Sequence, residues 1–314
     1  MIYAINMLAK PRSVTVSQMT QRNVSSAMGV YIQNAIVCLG SVMAHNPDIK
    51  PMICVDFDLP EDYLAVLAEL GILVEKVEFR LEVATESNWS ICNYRYCVMG
   101  YLCEKLQDDD IVMMLDTDII CVDSLKDLVE DVHEDIMLYD VCHTRENRDR
   151  QVILKNYERI YQESGNLIHY GGEFICSRVR NLKKLHQSCL RIIEDSNAFA
   201  DLLNFNDEHI TSMAVFRDLR HKAHNSAAYL FRYWTGTFYL ASTNWKSNPV
   251  ALWHLPVEKQ TGICKVYRYF RRYGCFPDRT KLARLFGLPK AKRPDWIRYY
   301  CAKIIRGVKK RLKR

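Results

Sequence analysis

Two aspartates one residue apart, Asp116-Thr117-Asp118, follow directly on the apolar run Ile111-Val112-Met113-Met114-Leu115. A short apolar run of this kind reads as a buried strand, so both carboxylates fall at its exposed end. With one residue between them, both can reach a single divalent cation, directly or through water. Hard oxygen ligands suit Mn2+ or Mg2+, which keep coordination positions open for phosphate oxygens. A cation held there would neutralise charge developing on a leaving diphosphate. The bland reading of the pair is a turn or capping cluster. The flanking apolar runs, with Ile119-Ile120-Cys121-Val122 on the far side, favour the metal reading.

Five further groups accompany this motif. His254, in Leu252-Trp253-His254-Leu255-Pro256, is either a hydrogen-bonded core residue or the imidazole that completes a metal site begun by two distant carboxylates. Lys259 is either a solvated surface lysine or a point charge for a diphosphate. Asp207 and Glu208 open a helical pattern, where acidic side chains favour the macrodipole, and either could instead serve as a base. Gly171-Gly172 permits a turn with positive φ or a close backbone approach, or is simply a tight connection. The aromatic residues Tyr229, Phe231, Tyr233, Trp234, Phe238, Tyr239 and Trp245 read mainly as core, with stacking faces for a sugar or base as the alternative.

The elements that must position these groups alternate between strand and helix signals. Residues 2–6, 51–56, 73–79 and 111–115 read as strands; 31–45, 60–70 and 93–107 read as helices. This alternation predicts an α/β fold with a largely parallel sheet between helices, whose ligands sit beyond the carboxyl ends of the strands. Asn6 and Asp116–Asp118 fall at such ends. Residues 145–165 read as a mobile loop or a pair of exposed helices, 169–177 as a glycine turn entering a strand, and 182–195 and 207–216 as helices. From residue 294 an apolar stripe (Trp296, Ile297, Cys301, Ile304, Ile305, Val308, Leu312) runs along an otherwise basic helix.

Taken together, residues 1–260 resemble the retaining glycosyltransferases of family 8, which have the GT-A fold and use a nucleotide sugar with Mn2+. The resemblance is carried by the opening strand, the helix ending in His45-Asn46-Pro47 and the segment Tyr94-Arg95-Tyr96. It continues through Leu115-Asp116-Thr117-Asp118, Asn206-Asp207-Glu208 and His254-Leu255-Pro256 with Lys259. It implies a GT-A (Rossmann-like) mixed, mostly parallel sheet, with Asp116, Asp118 and His254 as metal ligands. It further implies a donor site that includes Asn6, Arg95 and Thr117, in which Arg95 lies near the diphosphate and Asp207 contacts the transferred sugar. UDP is the nucleotide that the resemblance implies. Two positions depart from the pattern. Tyr170-Gly171-Gly172-Glu173 replaces an Asn-x-Gly, and Asp207-Glu208 replaces an Asp-Gln pair. Retention needs no strong base facing the leaving group; inversion would require Asp207 or Glu208 in that role.

Charge divides the chain in two. Residues 265–314 hold 18 basic and 2 acidic side chains, a net of +16, which leaves −10 on residues 1–264 against a total of +6. A catalytic domain over 1–264 and a basic, membrane-associating extension over 265–314 are therefore expected. The extension suits an anionic membrane surface and a glycan or lipid-linked acceptor, as in lipopolysaccharide or capsule synthesis. A helix packed on the body is the alternative. With no nucleic-acid motif beside it, a nucleic-acid partner is not expected. No apolar run approaches a membrane span, and the N-terminus lacks the pattern of a signal peptide. The expected location is therefore cytoplasmic, peripheral on the inner face of the membrane. The twelve cysteines are spaced for neither zinc nor disulfides and read as free buried thiols. Two other classes remain open: a nucleotidyltransferase, for which the glycine-rich phosphate loop is missing, and a non-catalytic nucleotide-sugar-binding protein, for which Asp116 and Asp118 would be dispensable.

Overall fold

Largely apolar runs of five to seven residues, 2–8, 50–55 and 111–115, supply the inner parallel strands of the central sheet in a computed structural model of the chain, which describes residues 1–10, 15–16, 19–20, 24–81, 90–235, 245–246 and 248–288. In chain order the strands are β1 (Ile2–Leu8), β2 (Thr15–Val16), β3 (Met19–Thr20), β4 (Lys50–Val55), β5 (Leu73–Lys76), β6 (Ile111–Leu115), β7 (Ile119–Cys121), β8 (Ile136–Asp140), β9 (Tyr170–Arg178), β10 (Ala223–Asn225), β11 (Leu230–Arg232) and β12 (Leu252–His254). The helices are α1 (Val24–His45), α2 (Glu61–Glu69), α3 (Arg95–Lys105), α4 (Lys126–Asp131), α5 (Arg148–Tyr161), α6 (Val179–Ser196), α7 (Asp207–Ala214), α8 (Cys264–Tyr273) and α9 (Arg279–Leu285).

Seven strands form one sheet in the order β10-β8-β9-β6-β1-β4-β5. The run β6-β1-β4-β5 is parallel, as the strand–helix alternation predicts. β9 is antiparallel to both of its neighbours, which makes the sheet mixed. The alternation of side chains along each strand feeds two cores. Ile5, Met52, Val112 and Met114 pack beneath α3, α5, α6 and α7. Ala4, Ile53, Met113 and Leu115 pack beneath α1 and α2. A second, three-stranded sheet, β11-β12-β7, grows from the residues just after the acidic motif.

Several expectations change on this frame. α1 begins at Val24, seven residues ahead of the expected start. By length and composition it is apolar enough to cross a membrane, which corrects the expectation that no segment is. Its apolar residues Ile32, Ile36, Leu39 and Val42 are instead buried against the sheet. Residues 145–165 contain one half-buried helix rather than a loop or an exposed pair. Asn147 caps α5, and Ile153, Leu154 and Tyr157 form its buried side. Gly171 and Gly172 lie inside β9, not in a turn, and neither has a positive φ.

The expected boundary at 264/265 falls at the start of α8. Val266, Leu282, Ala283 and Phe286 share a core with Val37, Ile120 and Trp253. The basic helix expected from residue 294 lies outside the described residues, as do Phe238 and Tyr239. The cysteines among the described residues are free. Cys38, Cys54, Cys121, Cys176 and Cys189 are buried, whereas Cys142 and Cys275 are exposed.

Candidate functional site

The parallel strands end on one edge of the sheet, and the acidic motif stands there. After Leu115 the chain turns tightly, with Ile119 N–H donating to Asp116 O over 3.2 Å, and returns as β7. Because β9 runs antiparallel to β6, its first residues arrive at this same edge. Asp116 N–H donates to Glu173 O over 2.9 Å. β12 pairs antiparallel with β7, and Leu255 N–H donates to Asp118 O over 2.9 Å, which sets His254 beside Asp118 although 136 residues separate them. Asn6, two residues before the end of β1, is fully buried and donates through Nδ2 to Leu115 O over 2.7 Å. Its observed role is therefore to fix the strand end directly before Asp116.

Asp116, Asp118 and His254 each offer a ligand atom, and these atoms lie within 4.8 Å of one another. Asp118 Oδ2 meets His254 Nε2 at 3.2 Å and Lys259 Nζ at 2.8 Å. Burial alone would raise the pKa of Asp118, but the Lys259 and His254 charges hold it well below the usual carboxylate range. Asp116 keeps 43% of its side chain exposed, forming the open side of the cluster. The enclosing walls, and then the Asp118 carboxylate, raise its pKa, with Arg95 opposing. Thr117 is buried between the two.

For His254, burial disfavours the charge, yet Asp118 and Glu173 together raise its pKa to about 9. In the metal-free protein this imidazolium stabilises the fold. The contribution is complete below the ordinary value of 6.5 and is lost as pH rises through about 9. Melting temperatures of metal-free protein should therefore fall between about pH 6.5 and 9, and His254→Ala should flatten that decline.

A second cluster adjoins the first. Arg95, the first residue of α3, places one guanidinium nitrogen 3.0 Å from Asp207 Oδ2 and another 3.5 Å from Asp116 Oδ1. Next to it in sequence, Tyr96 lies 2.9 Å through its hydroxyl from both Asp207 O and Thr211 Oγ1, and so ties α3 to the first turn of α7. Burial and the nearby Glu208 raise the pKa of Asp207, while Arg95 lowers it; the net direction is upward. Glu208 lies 2.9 Å through Oε2 from His169 Nε2 and accepts through Oε1 from Gly172 N–H over 3.3 Å. Burial opposes its charge, but His169 outweighs that and keeps it ionised below its usual value.

Gly172 owes its identity to space rather than to φ. A Cβ there would stand 2.5 Å from Asp207 Oδ2 and 3.0 Å from an Arg95 nitrogen. Gly172→Ala should therefore push Asp207 and Arg95 out of register. Turnover should drop by roughly tenfold or more, for a stability loss of about 1–3 kcal/mol. Steady-state kinetics beside a thermal melt would separate the two effects.

Asn6, Arg95, Asp116, Thr117, Asp118, Asp207, Glu208, His254 and Lys259 all lie in this edge region. Sequence reasoning did not assign a role to Glu173, Arg232, Tyr96 or His169. Glu173 and Arg232 form a buried ion pair, with Arg232 Nε donating over 2.8 Å and its terminal nitrogen over 2.7 Å. Their one local signal is a charged residue set within an apolar or aromatic run.

No protein-family model and no curated protein matches the chain. Solved structures do. The chain is similar to the galactosyltransferase LgtC in complex with donor and acceptor sugar analogues, at a TM-score of 0.52 and 15% identity, covering 94% of this chain and 98% of that one. An active-site mutant of LgtC gives a TM-score of 0.51 at 17% identity, with 95% and 99% covered. Mouse xyloside xylosyltransferase 1, in its apo form, gives 0.50 at 11% identity, with 81% and 97% covered. At these identities the likeness establishes the fold, which is the GT-A fold expected from the sequence.

Proposed function

We propose that this chain is a metal-dependent glycosyltransferase, which moves a hexose or related sugar from a UDP-sugar to a glycan or lipid-linked acceptor with retention of configuration. The observation that carries the reading is the convergence of Asp116, Asp118 and His254 within 4.8 Å at the edge where the parallel strands end. Two carboxylates and one imidazole suit Mn2+ or Mg2+. The donor set fits such an ion, because His254 has Nδ1 turned to Glu173 and Nε2 turned to Asp118. When bound, the ion would supply Lewis-acid stabilisation of the departing diphosphate.

The chain's own residues would do the rest. Arg95 is held rigid by Asp207 and keeps a buried Nε with no partner among the described residues, a donor left for an oxygen ligand. Lys259, positioned at Asp118, adds positive charge on the same side. Neither acidic residue of α7 stands free as a base, since Asp207 engages Arg95 and Glu208 engages His169 and Gly172 N–H. That supports retention. Inversion draws on one opposing fact, that Glu208 is held ionised with 32% of its side chain exposed.

The LgtC complex with donor and acceptor analogues supports a sugar donor and a glycan acceptor for this chain as well. Exposed Lys265, Arg268, Arg272 and Arg284 on α8 and α9 extend the basic character of residues 289–314. They support a cytoplasmic enzyme held peripherally at an anionic membrane, where a precursor of lipopolysaccharide or capsule would be its acceptor.

Calorimetry of UDP with and without Mn2+, on native protein and on the Asp116→Ala/Asp118→Ala variant, tests the reading. Metal-dependent binding that the double substitution removes is the expected result. Failure to bind any nucleotide would favour a non-catalytic protein instead. The anomeric coupling in the NMR spectrum of the product then decides between retention and inversion.

A further inference from the structure

The buried charge of Glu173 is unexplained by the fold, since an apolar residue would continue β9 at that position without a desolvation cost. Its side chain is 1% exposed, and its carboxylate has two neighbours. On one side Arg232 clamps it through two nitrogens, at 2.8 and 2.7 Å. On the other, Oε1 lies 3.2 Å from His254 Nδ1. The Glu173 backbone is also engaged, because its carbonyl accepts from Asp116 N–H over 2.9 Å. One residue thus touches two of the three candidate metal ligands, one through its main chain and one through its side chain. Room for the pair is reserved in the sequence. A Cβ on Gly171 would overlap the Glu173 carboxylate and lie 2.8 Å from the Arg232 guanidinium.

We propose that Glu173, held by Arg232, is the positioning residue of the metal centre. It fixes the His254 ring with Nδ1 bonded inward and Nε2 presented to the ion, and this inference rests on the metal-site reading above. An imidazole that ligates through one nitrogen needs its other N–H accepted, or the ring rotates and the tautomer is not fixed. Glu173 supplies that acceptor. Arg232 keeps the carboxylate from turning away and balances its charge, so that the unit adds no net charge beside the cation.

The test uses the full chain and Mn2+ alone. Affinity is read by calorimetry, and histidine coordination by the nitrogen modulation in pulsed electron paramagnetic resonance of bound Mn2+. Glu173→Gln should weaken Mn2+ binding by roughly 10–100-fold and alter the nitrogen modulation, with the melting temperature reported alongside. The Glu173→Met/Arg232→Met variant removes both charges and keeps their volume, so it guards against a misfolded single variant. It should lose affinity to a similar extent. Either variant, folded and binding Mn2+ with native affinity and native modulation, overturns the proposal. His254→Ala and Asp118→Ala serve as the reference. If they bind Mn2+ normally, the metal site itself is wrong; if they fail while the Glu173 variants bind normally, only the positioning role falls.

Discussion

Asp118→Ala should abolish Mn2+-dependent UDP binding and lower sugar transfer by roughly three orders of magnitude. Losing a metal's charge stabilisation costs several kcal/mol of barrier, at about tenfold per 1.4 kcal/mol. Few positions in the chain concentrate as much. The Asp118 side chain is 1% exposed, and its Oδ2 is the meeting point of Lys259 Nζ and His254 Nε2. Truncation removes a ligand and also leaves an ammonium and an imidazole facing each other without the carboxylate between them. His254 should then lose its main source of upward shift and titrate at lower pH. Asp118→Asn separates ligation from packing, because it keeps the shape and removes only the charge. Initial rates with a UDP-sugar, measured beside thermal melts, provide the check. A folded Asp118→Asn protein that transfers sugar at a near-native rate would remove the metal from the mechanism.

How much of this site was legible depended on whether its signal is local. β6 and the acidic motif were, because an apolar run that stops at two carboxylates is written within eight consecutive residues. The first turn of α7 was equally readable, since Asn206 precedes Asp207-Glu208 and its side chain accepts from His209 N–H. By contrast, α5 was obscured. Its buried side consists mainly of Ile153, Leu154 and Tyr157, set among charges that mimic a solvated loop. The Glu173–Arg232 pair was hidden for a different reason. The partners are 59 residues apart, and nothing at either position names the other. The glycines show the same limit. A Gly-Gly pair reads as a turn because φ is a local property, whereas the actual requirement is room for side chains from α3, α7 and β11. Local chemistry was readable; the pairing of distant charges was decided by the antiparallel entry of β9 and β12.

Arg95→Met should be the most destabilising substitution around the site, and the reason is what it leaves behind. The Arg95 and Asp207 side chains are 10% and 6% exposed, so removing the guanidinium strands a buried carboxylate. Breaking such a pair costs about 3–5 kcal/mol, which for a chain of this size lowers the melting temperature by about 10 °C. The sign of the pH dependence follows. The folded-state pKa of Asp207 is already raised by burial, and without Arg95 it rises further. The protonated acid then suits its surroundings, so the deficit of the variant should shrink as pH falls and grow as pH rises through that raised pKa. A second substitution, Asp207→Asn, removes the stranded charge and should return most of the lost stability at neutral pH. It should not return activity, because the fork that spans Asp207 and Asp116 would still be missing. Arg95→Lys sharpens the contrast. A single ammonium can neutralise Asp207 but cannot bridge both carboxylates, so the fold should survive while transfer falls. If the Arg95→Met melt were unchanged and independent of pH, the Arg95–Asp207 pair would not be the buried electrostatic link between α3 and α7.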